Sequence, residues 1–344
     1  MKRNSLIDLF RFVCAFAVAI VHTRLGGGEP FWYISPFTWA IIPFFFMVSG
    51  YFLADENTDR MKQRLSKQIR NVFWLFAGSI LVYFIFYMVL VAVQSPWSIN
   101  EVFSSLRNWK YWYRFIALNH TGYIVNAPHL WYVPALLYAL VVIRIALKYC
   151  KLKKMYWLAF VILLWVPMAI WQENRGADVS LALVRNFLTH GIPCLMAGAW
   201  IKCNTKRILK WPRKLVIALP VAFALLTIGE WLLYLRLGYG ALSVNTGASL
   251  LAASLIVLSI HFPTAGARTP FPKWGAKYSM MIYISHVAFL RLLHTVAALW
   301  GVQNAAWYRW SAPFIVFLLA FGFSALWEAA TGKRKERKRE KAVA

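Results

Sequence analysis

The chain has 344 residues, of which 60% are hydrophobic and 15% are charged, and its formal net charge at pH 7 is +26. Its mean hydropathy is +0.55. This composition excludes an ordinary soluble domain. The positive charge alone would also suit a nucleic-acid-binding protein, a class that the distribution of the basic residues argues against.

Ten apolar stretches follow one another along the chain, joined mostly by short loops. Each has about 17–24 residues, the length that a helix needs to cross a bilayer core of about 30 Å. They lie near residues 5–23, 37–54, 70–93, 129–147, 155–172, 184–201, 214–234, 246–262, 278–300 and 311–329. We therefore predict an all-α polytopic membrane protein with about ten transmembrane helices. Residues 1–332 would form one transmembrane domain and residues 333–344 a basic cytoplasmic tail.

The 38 Lys and Arg residues are distributed unevenly over the two sides of the predicted membrane. With the N-terminus inside and ten spans, the cytoplasmic segments hold 28 of them and the outer segments hold 8. This asymmetry follows the positive-inside rule and predicts cytoplasmic N- and C-termini. The basic tail would also meet anionic membrane lipid, and we predict no nucleic-acid partner.

The first span carries an arginine and a histidine on one face. Arg11 and His22 are separated by about three full helical turns plus 20°, so they point in nearly the same direction, about 16 Å apart. Asp8 lies on the same stripe, one turn before Arg11. Because an arginine deep in a bilayer costs about 2.5–3.5 kcal/mol, we expect this face to line a polar interior. In the simpler alternative, Arg11 is only a structural partner of Asp8.

The longest connection lies between the third and fourth spans, on the outer side. Ser98 and Glu101 form a capping-box pattern there, and apolar residues follow at helical spacing from Val102 to Trp112. This predicts an amphipathic helix at the outer interface. It could be a simple surface anchor or a lid over a cavity that opens outward.

Further polar residues occur within the later spans or at their ends. Histidine titrates near pH 6.5 and can exchange a proton at neutral pH, so the histidines are candidates for acid–base chemistry. For the outer half we expect His22, His129, His190 and Glu230, and for the middle or inner half Arg11, Ser49, His286 and Arg291.

Each of these residues also has a structural interpretation. Glu230 could face water at the membrane surface, and Arg291 could extend its charge to the interface. The histidines at helix ends could be interfacial residues, namely His129, His190, His261 and His294. The four cysteines show neither metal-ligand spacing nor a pairing pattern, so we interpret them as packing residues and predict no metal.

Four short motifs occur in chain order, in spans one, two, four and nine. They are Arg11 and His22 with ten residues between them, Phe46-Met-Val-Ser49-Gly50-Tyr51, His129-Leu-Trp131-Tyr132, and Ser279 followed by Tyr283 and His286. Together they resemble the motifs of acyltransferase family 3, the integral-membrane acyltransferases of bacterial surface glycans. Each motif is weak alone, but the four in this order are specific.

The resemblance implies transfer of an acyl group, usually acetyl, from cytoplasmic acyl-CoA to a hydroxyl of a lipid-linked or surface glycan. We expect His22 to act as general base or transient acyl carrier, with Arg11, Asp8 and Glu230 as the other catalytic residues. The expected acyl-CoA contacts are Arg11, Ser49, Tyr283, His286, Arg60 and Arg64, and the expected acceptor contacts are His129, Trp131 and Tyr132.

The chain departs from the family pattern after the second motif. The family often has a basic residue five positions after the glycine, where this chain has Asp55. Arg60 or Arg64 could replace it at the inner mouth. Ser49 and Gly50 could also serve only to permit close packing of helices.

A second class of function fits the same composition. Buried Arg, Asp, Glu and His within spans also describe a secondary transporter with a proton- or anion-conducting path. Such proteins often contain repeated halves, and we see no repeat in this sequence. A purely structural scaffold would not carry the polar stripe of the first span. The acceptor sugar, the acyl length and the oligomeric state stay open.

Overall fold

The structure, a computed structural model, describes residues 3–94, 99–157, 159–162, 185–236 and 246–343. Within these residues every regular element is helical, and the prediction of an all-α polytopic membrane protein is confirmed. The helices are α1 (Ser5–Thr23), α2 (Glu29–Thr38), α3 (Ile41–Leu53), α4 (Thr58–Gln94), α5 (Ile99–Arg107), α6 (Trp109–Ala117), α7 (Gly122–Val125), α8 (Tyr132–Tyr149), α9 (Ile192–Cys203), α10 (Thr205–Ile208), α11 (Arg213–Arg236), α12 (Thr246–His261), α13 (Phe271–Leu299) and α14 (Ala306–Val343).

Seven helical segments of the described chain are long and apolar enough to cross a membrane. They are Ser5–Gly27, Phe31–Leu53, Thr58–Val93, Pro128–Tyr149, Arg213–Arg236, Phe271–Leu299 and Ala306–Gly332. The apolar helix α12 is shorter, with 16 residues. The predicted sixth span contains a π-helical turn, Phe187–Gly191, directly before α9. Most of the predicted fifth span, 155–172, lies outside the described residues.

Several helices extend beyond the apolar stretches that identify them. Helix α4 begins at Thr58 rather than near residue 70, and α14 continues through the basic tail to Val343. Backbone hydrogen bonding does not stop where hydropathy falls, because Lys, Arg and Gln are good helix formers. The second predicted span, 37–54, consists mainly of α3, which Trp39 and Ala40 separate from the end of α2.

The outer connection contains short helices rather than one amphipathic helix. Asn108 divides α5 from α6, and its side chain accepts a hydrogen bond from the backbone N–H of Lys110 at 3.0 Å. Val102 is buried while Trp109 and Tyr113 are exposed, a distribution that suits a membrane interface. Ser98, the first residue of the capping-box pattern, lies outside the described residues.

The chain divides into two compact units. The terminal unit consists of Met1–Ile41 and Phe262–Ala344, and the central unit of Ile42–His261. In the terminal unit α1 packs along α13, and α13 packs against α14. Its core is a buried cluster of Ala15, Ala19, Ile282, Val316, Phe317 and Ala320.

Helices α3 and α9 of the central unit pack at backbone contact. A methyl group at Gly50 would overlap the carbonyl of Leu195, and one at Gly198 would overlap the carbonyl of Met47. Small residues allow such close approach of helices in membranes. The packing interpretation of Gly50 is therefore supported by the structure.

Candidate active site

The buried carboxylate of Asp8 holds two arginines at the start of α1. Its Oδ2 lies 2.8 Å from Nε of Arg3, and its Oδ1 lies 3.2 Å from Nη1 of Arg11. Arg3 also donates through Nη2 to the carbonyl of Pro272 at 2.6 Å. Asn4 caps this helix by accepting from the backbone N–H of Ile7 at 3.1 Å. The predicted contact of Asp8 with Arg11 is present, and Arg3 is an additional partner that the sequence did not indicate.

A glycine brings α13 against this part of α1. A methyl group at Gly275 would overlap the carbonyl of Asp8 and would lie 2.8 Å from the backbone nitrogen of Phe12. One turn further along α13, the hydroxyl of Ser279 is buried and has no hydrogen-bond partner among the described residues. Asp8 on α1 and Ser279 on α13 thus place polar groups in the part of the α1–α13 interface around Gly275.

His22 meets His286 further along the same interface. The two ring centroids are 4.9 Å apart, with an interplanar angle of 50°. His286 is completely buried, whereas His22 in the last turn of α1 is exposed. The contacts of α1 with Gly275 and His286 follow the same order on both helices, so α1 and α13 run in parallel.

The hydrogen bonds of His286 determine its tautomer. Its Nδ1 lies 2.7 Å from the carbonyl of Tyr283 and 3.2 Å from that of Ile282. A carbonyl only accepts hydrogen bonds, so Nδ1 must donate, and Nε2 of the neutral ring carries the lone pair. Tyr283 is itself buried, with its ring 6.0 Å from His286. Of the two predicted acyl-CoA contacts on this helix, His286 thus lies beside His22, and Tyr283 lies beside His286.

The second motif lies in the central unit. The hydroxyl of Ser49 donates to the carbonyl of Phe45 on its own helix at 2.9 Å. Arg64 pairs with Asp55, with Nη2 and Oδ2 2.9 Å apart, and donates through Nη1 to the carbonyl of Ala54 at 3.1 Å. The family often has a basic residue at the position of Asp55. In this chain the guanidinium of Arg64 lies beside Asp55 and supplies positive charge there. The side chain of Arg60 is exposed.

The third motif is largely buried. His129 lies against Tyr83, with ring centroids 5.0 Å apart, and Tyr132 lies 4.6 Å from Phe46. The ring of Trp131 is 6.1 Å from His190. His129 and His190 are each 4% exposed, so they are packed within the central unit rather than lying at its surface.

Glu230 has a structural partner. Its Oε2 accepts a hydrogen bond from the backbone N–H of Gly247 at 2.8 Å, in the first turn of α12. The first N–H groups of a helix have no partner within the helix, and a carboxylate there is also stabilised by the helix dipole. This contact explains Glu230 as a helix cap, and its catalytic role stays a prediction.

Two other histidines contact groups of their own unit. His261 Nε2 lies 2.9 Å from the carbonyl of Ile208, and His294 Nδ1 lies 2.9 Å from the hydroxyl of Tyr308. No group of three or more His, Cys, Asp or Glu side chains that could hold a metal occurs in the described part of the chain.

A family model described as an acyltransferase domain, that of acyltransferase family 3, matches residues 4–328. The chain belongs to acyltransferase family 3. This acyltransferase is therefore a multi-pass membrane enzyme, as the four motifs predicted.

Another similarity is partial. An amino-acid racemase of Enterococcus faecalis is 29% identical over 160 residues, which cover 42% of this acyltransferase and 20% of the racemase. The match thus involves about a fifth of that protein's length. No solved structure matches the acyltransferase.

Proposed function

We propose that the protein transfers an acyl group, acetyl in the simplest case, from cytoplasmic acyl-CoA to a hydroxyl of a lipid-linked or cell-surface glycan. The enzyme would act in a bacterial inner membrane. His22 is the general base in this proposal. The observation that supports it best is the contact of His22 with the buried His286, at a ring distance of 4.9 Å.

The arrangement of the two histidines suits proton transfer. His22 is exposed, so its ring can reach a substrate, while His286 supports it from the helix interface. Because Nδ1 of His286 donates to the carbonyl of Tyr283, the ring of His286 is fixed in orientation. His286 is then a positioning residue that holds the imidazole of His22 in one orientation.

The proposed reaction is direct transfer of the acyl group from the thioester of acyl-CoA to the acceptor hydroxyl. The acceptor hydroxyl gives its proton to His22, and its oxygen attacks the carbonyl carbon of the thioester. The carbon–sulfur bond breaks, and CoA leaves as a thiolate that takes the proton from His22. A positioned base of this kind contributes about 10²–10⁴-fold in rate. A transient acyl-His22 is the alternative route for the same overall transfer.

The arginines supply positive charge for the donor. Arg11 is held by Asp8 and is partly exposed, so its guanidinium can balance charge on the pantetheine arm or the thiolate. Arg60 and Arg64 are candidates for the CoA phosphates, since arginine binds phosphate oxygens in a bidentate way. Ser49 would contact the donor, and His129, Trp131 and Tyr132 would contact the acceptor.

The test measures transfer by purified protein in proteoliposomes, with radiolabelled acetyl-CoA and a surface-glycan extract as acceptor. His22→Ala should lower the rate about 10²–10⁴-fold, the contribution expected of a general base. The matched control is His294→Ala, because His294 is an exposed histidine of the same unit and lies outside the proposed site.

Two results would contradict the proposal. The first is a His22→Ala protein that inserts normally and transfers at the wild-type rate. The second is accumulation of unmodified substrate in sealed vesicles without any acyl transfer, which would indicate a transporter. Mass spectrometry of surface glycan from cells with and without the gene would identify the acceptor and the acyl group.

A further inference from the structure

The central unit contains a second group of buried polar residues. Asn119 is completely buried, and His190 is 4% exposed. His120 directly follows Asn119, and Arg185 directly precedes Asn186, whose carbonyl accepts the backbone N–H of His190. None of these residues belongs to the four motifs or to the proposed proton path.

His190 lies in an unusual backbone turn. The backbone N–H groups of His190 and Gly191 both donate to the carbonyl of Asn186, at 3.2 and 3.1 Å, which produces the π-helical turn before α9. Such turns occur often at functional sites. The ring lies between Phe46 and Trp131, with centroid distances of 5.8 and 6.1 Å.

Buried polar atoms of this group lack partners in the part of the chain that the structure describes. They are Nε2 of His190, Nδ1 of His120, and both the nitrogen and the oxygen of the Asn119 side chain. Because nearly all buried polar groups in proteins are hydrogen-bonded, four such atoms in one region indicate a place for a polar ligand.

Neighbouring contacts connect the loop of Asn119 to His190. Asn119 has a left-handed backbone, with φ 52°, and the ring of His120 and the side chain of Pro128 both lie beside Gly122. Pro128 begins the turn that ends at Trp131, and Trp131 packs on His190. The loop, the turn and the π-helical segment are therefore neighbours in the central unit.

The region is positively charged, and burial opposes protonation of its loop histidine. Burial lowers the pKa of His120, and the charges of Arg114 and Arg185 lower it further. Arg114 donates through Nη1 to the hydroxyl of Tyr123 at 2.7 Å and lies over that ring. A site with arginine charge, a neutral imidazole and an amide matches a ligand that carries an oxyanion beside hydroxyl groups.

We propose that Asn119, His120, Arg185 and His190 form a binding site for an anionic sugar portion of the acceptor. In this site Arg185 pairs with the oxyanion, while His190, His120 and Asn119 bind hydroxyl groups, and Trp131 with Phe46 forms an apolar wall. The oxyanion is the carboxylate of an acidic sugar or the phosphate of the lipid carrier. The inference rests on the proposed function, since it names the class of acceptor.

A binding measurement tests the site without catalysis. Detergent-purified protein is titrated with trigalacturonate and with uncharged galactotriose, and in parallel with farnesyl diphosphate and farnesol. The wild-type protein should bind either trigalacturonate more tightly than galactotriose or farnesyl diphosphate more tightly than farnesol. Preference for trigalacturonate would identify the oxyanion as a sugar carboxylate, and preference for farnesyl diphosphate would identify it as the phosphate of the lipid carrier. Arg185→Gln should weaken that binding about 10- to 100-fold, as expected for a hydrogen bond to a charged group.

Further variants separate charge from folding. Arg185→Lys should retain the preference for the anion, and His190→Phe, which keeps an aromatic ring, should weaken binding of the anionic probe through loss of a hydroxyl contact. Arg107→Gln is the matched control, because Arg107 is an exposed cation of the same unit. Melting temperatures would identify any variant that fails to fold.

The outcomes distinguish this inference from the proposed function. If the wild-type protein binds an anionic probe through Arg185 but transfers no acyl group, the proposed function fails and the site remains. If transfer proceeds but neither anion is preferred, or Arg185→Gln binds as the wild type does, the inference is overturned. With both correct, Arg185→Gln weakens binding of the anionic probe and lowers transfer to glycan together, whereas Arg107→Gln changes neither.

Discussion

At the residue scale, the carboxylate of Asp8 organises the positive charge at the start of the first helix. It accepts from Arg3 and Arg11 on different oxygens while being nearly inaccessible itself. Asp8→Asn keeps the size of the side chain but removes its charge. We expect it to destabilise the protein by about 1.5–3 kcal/mol, the range for hydrogen bonds to charged groups, and to lower transfer because Arg11 loses its anchor.

The comparison that checks this prediction is Asp8→Asn against Asp59→Asn. Asp59 also pairs with a cation three residues away, Lys62 at 3.4 Å, but its side chain is 83% exposed. An exposed pair contributes about 0–1 kcal/mol, so Asp59→Asn should melt close to the wild type in detergent. Equal melting temperatures and equal transfer rates for the two variants would contradict the role assigned to Asp8.

The sequence predicted part of this site and could not predict the rest. Asp8 and Arg11 are three positions apart on one helix, so helical geometry alone brings them together. Arg3 lies just before the helix begins, so helical spacing does not place it on Asp8, although the two are only five residues apart. His286 reaches the site through tertiary packing, which spacing along the chain does not reveal. For His190 the sequence left two interpretations, a residue of the outer half of a cavity or an interfacial residue near a helix end; in the structure it is buried against Phe46 and Trp131, beside a π-helical turn.

At the element scale, hydropathy located the helices better than it located their ends. It measures apolar content, whereas a helix ends where backbone hydrogen bonding is replaced by a cap or a turn. Thus α4 starts in a charged segment at Thr58, and Asn108 divides the outer connection in spite of its continuous amphipathic pattern. Glu230 caps α12 through Gly247, a residue 17 positions later in the chain, and this contact was not predicted.

The packing of α1 on α13 depends on one glycine. A methyl group at Gly275 would overlap the carbonyl of Asp8, so Gly275→Ala must push the two helices apart. Overpacking of this kind costs about 1–3 kcal/mol. We expect a lower melting temperature and a loss of transfer, because the contact of His22 with His286 lies on the same interface.

Gly322→Ala provides the matched control for this prediction. Gly322 lies in α14 of the same unit, and a methyl group there would meet no atom within 4 Å. Alanine is favoured over glycine inside a helix by about 1 kcal/mol, so Gly322→Ala should be neutral or slightly stabilising. If Gly275→Ala melted and transferred like Gly322→Ala, the close approach of α1 and α13 would be irrelevant to activity.

At the scale of the whole molecule, the sequence predicted the fold class and the family but not the grouping of helices. The first helix, α1, packs with the last two, α13 and α14, in the terminal unit. Nothing in the hydrophobic pattern distinguishes this arrangement from packing of sequential neighbours. The entropic cost of closing a loop grows only slowly with the length of the loop. Helices far apart in the sequence can therefore pack together almost as readily as nearer ones, and sequence distance is a weak guide to such contacts.

The orientation of the molecule in the membrane follows from the positive-inside asymmetry and can be tested with a native cysteine. Cys150 is exposed directly after α8, in a segment that we place in the cytoplasm. A membrane-impermeant maleimide should therefore label it only after the membrane is permeabilised. Cys14 and Cys203 are partly exposed and would be replaced by alanine in the protein used, whereas Cys194 is buried.

A cysteine on the opposite side makes this labelling experiment decisive. Ser104 is exposed on α5 in the predicted outer connection, so Ser104→Cys in a Cys150→Ala background should be labelled in intact spheroplasts. The reverse pattern, with Cys150 labelled in intact spheroplasts and Ser104→Cys protected, would invert the topology. Arg60 and Arg64 would then face away from cytoplasmic acyl-CoA, and their role as donor contacts would fail. The excess of Lys and Arg in the predicted cytoplasmic segments and the cytoplasmic location of acyl-CoA therefore predict the same orientation, with Arg60 and Arg64 inside, for independent reasons.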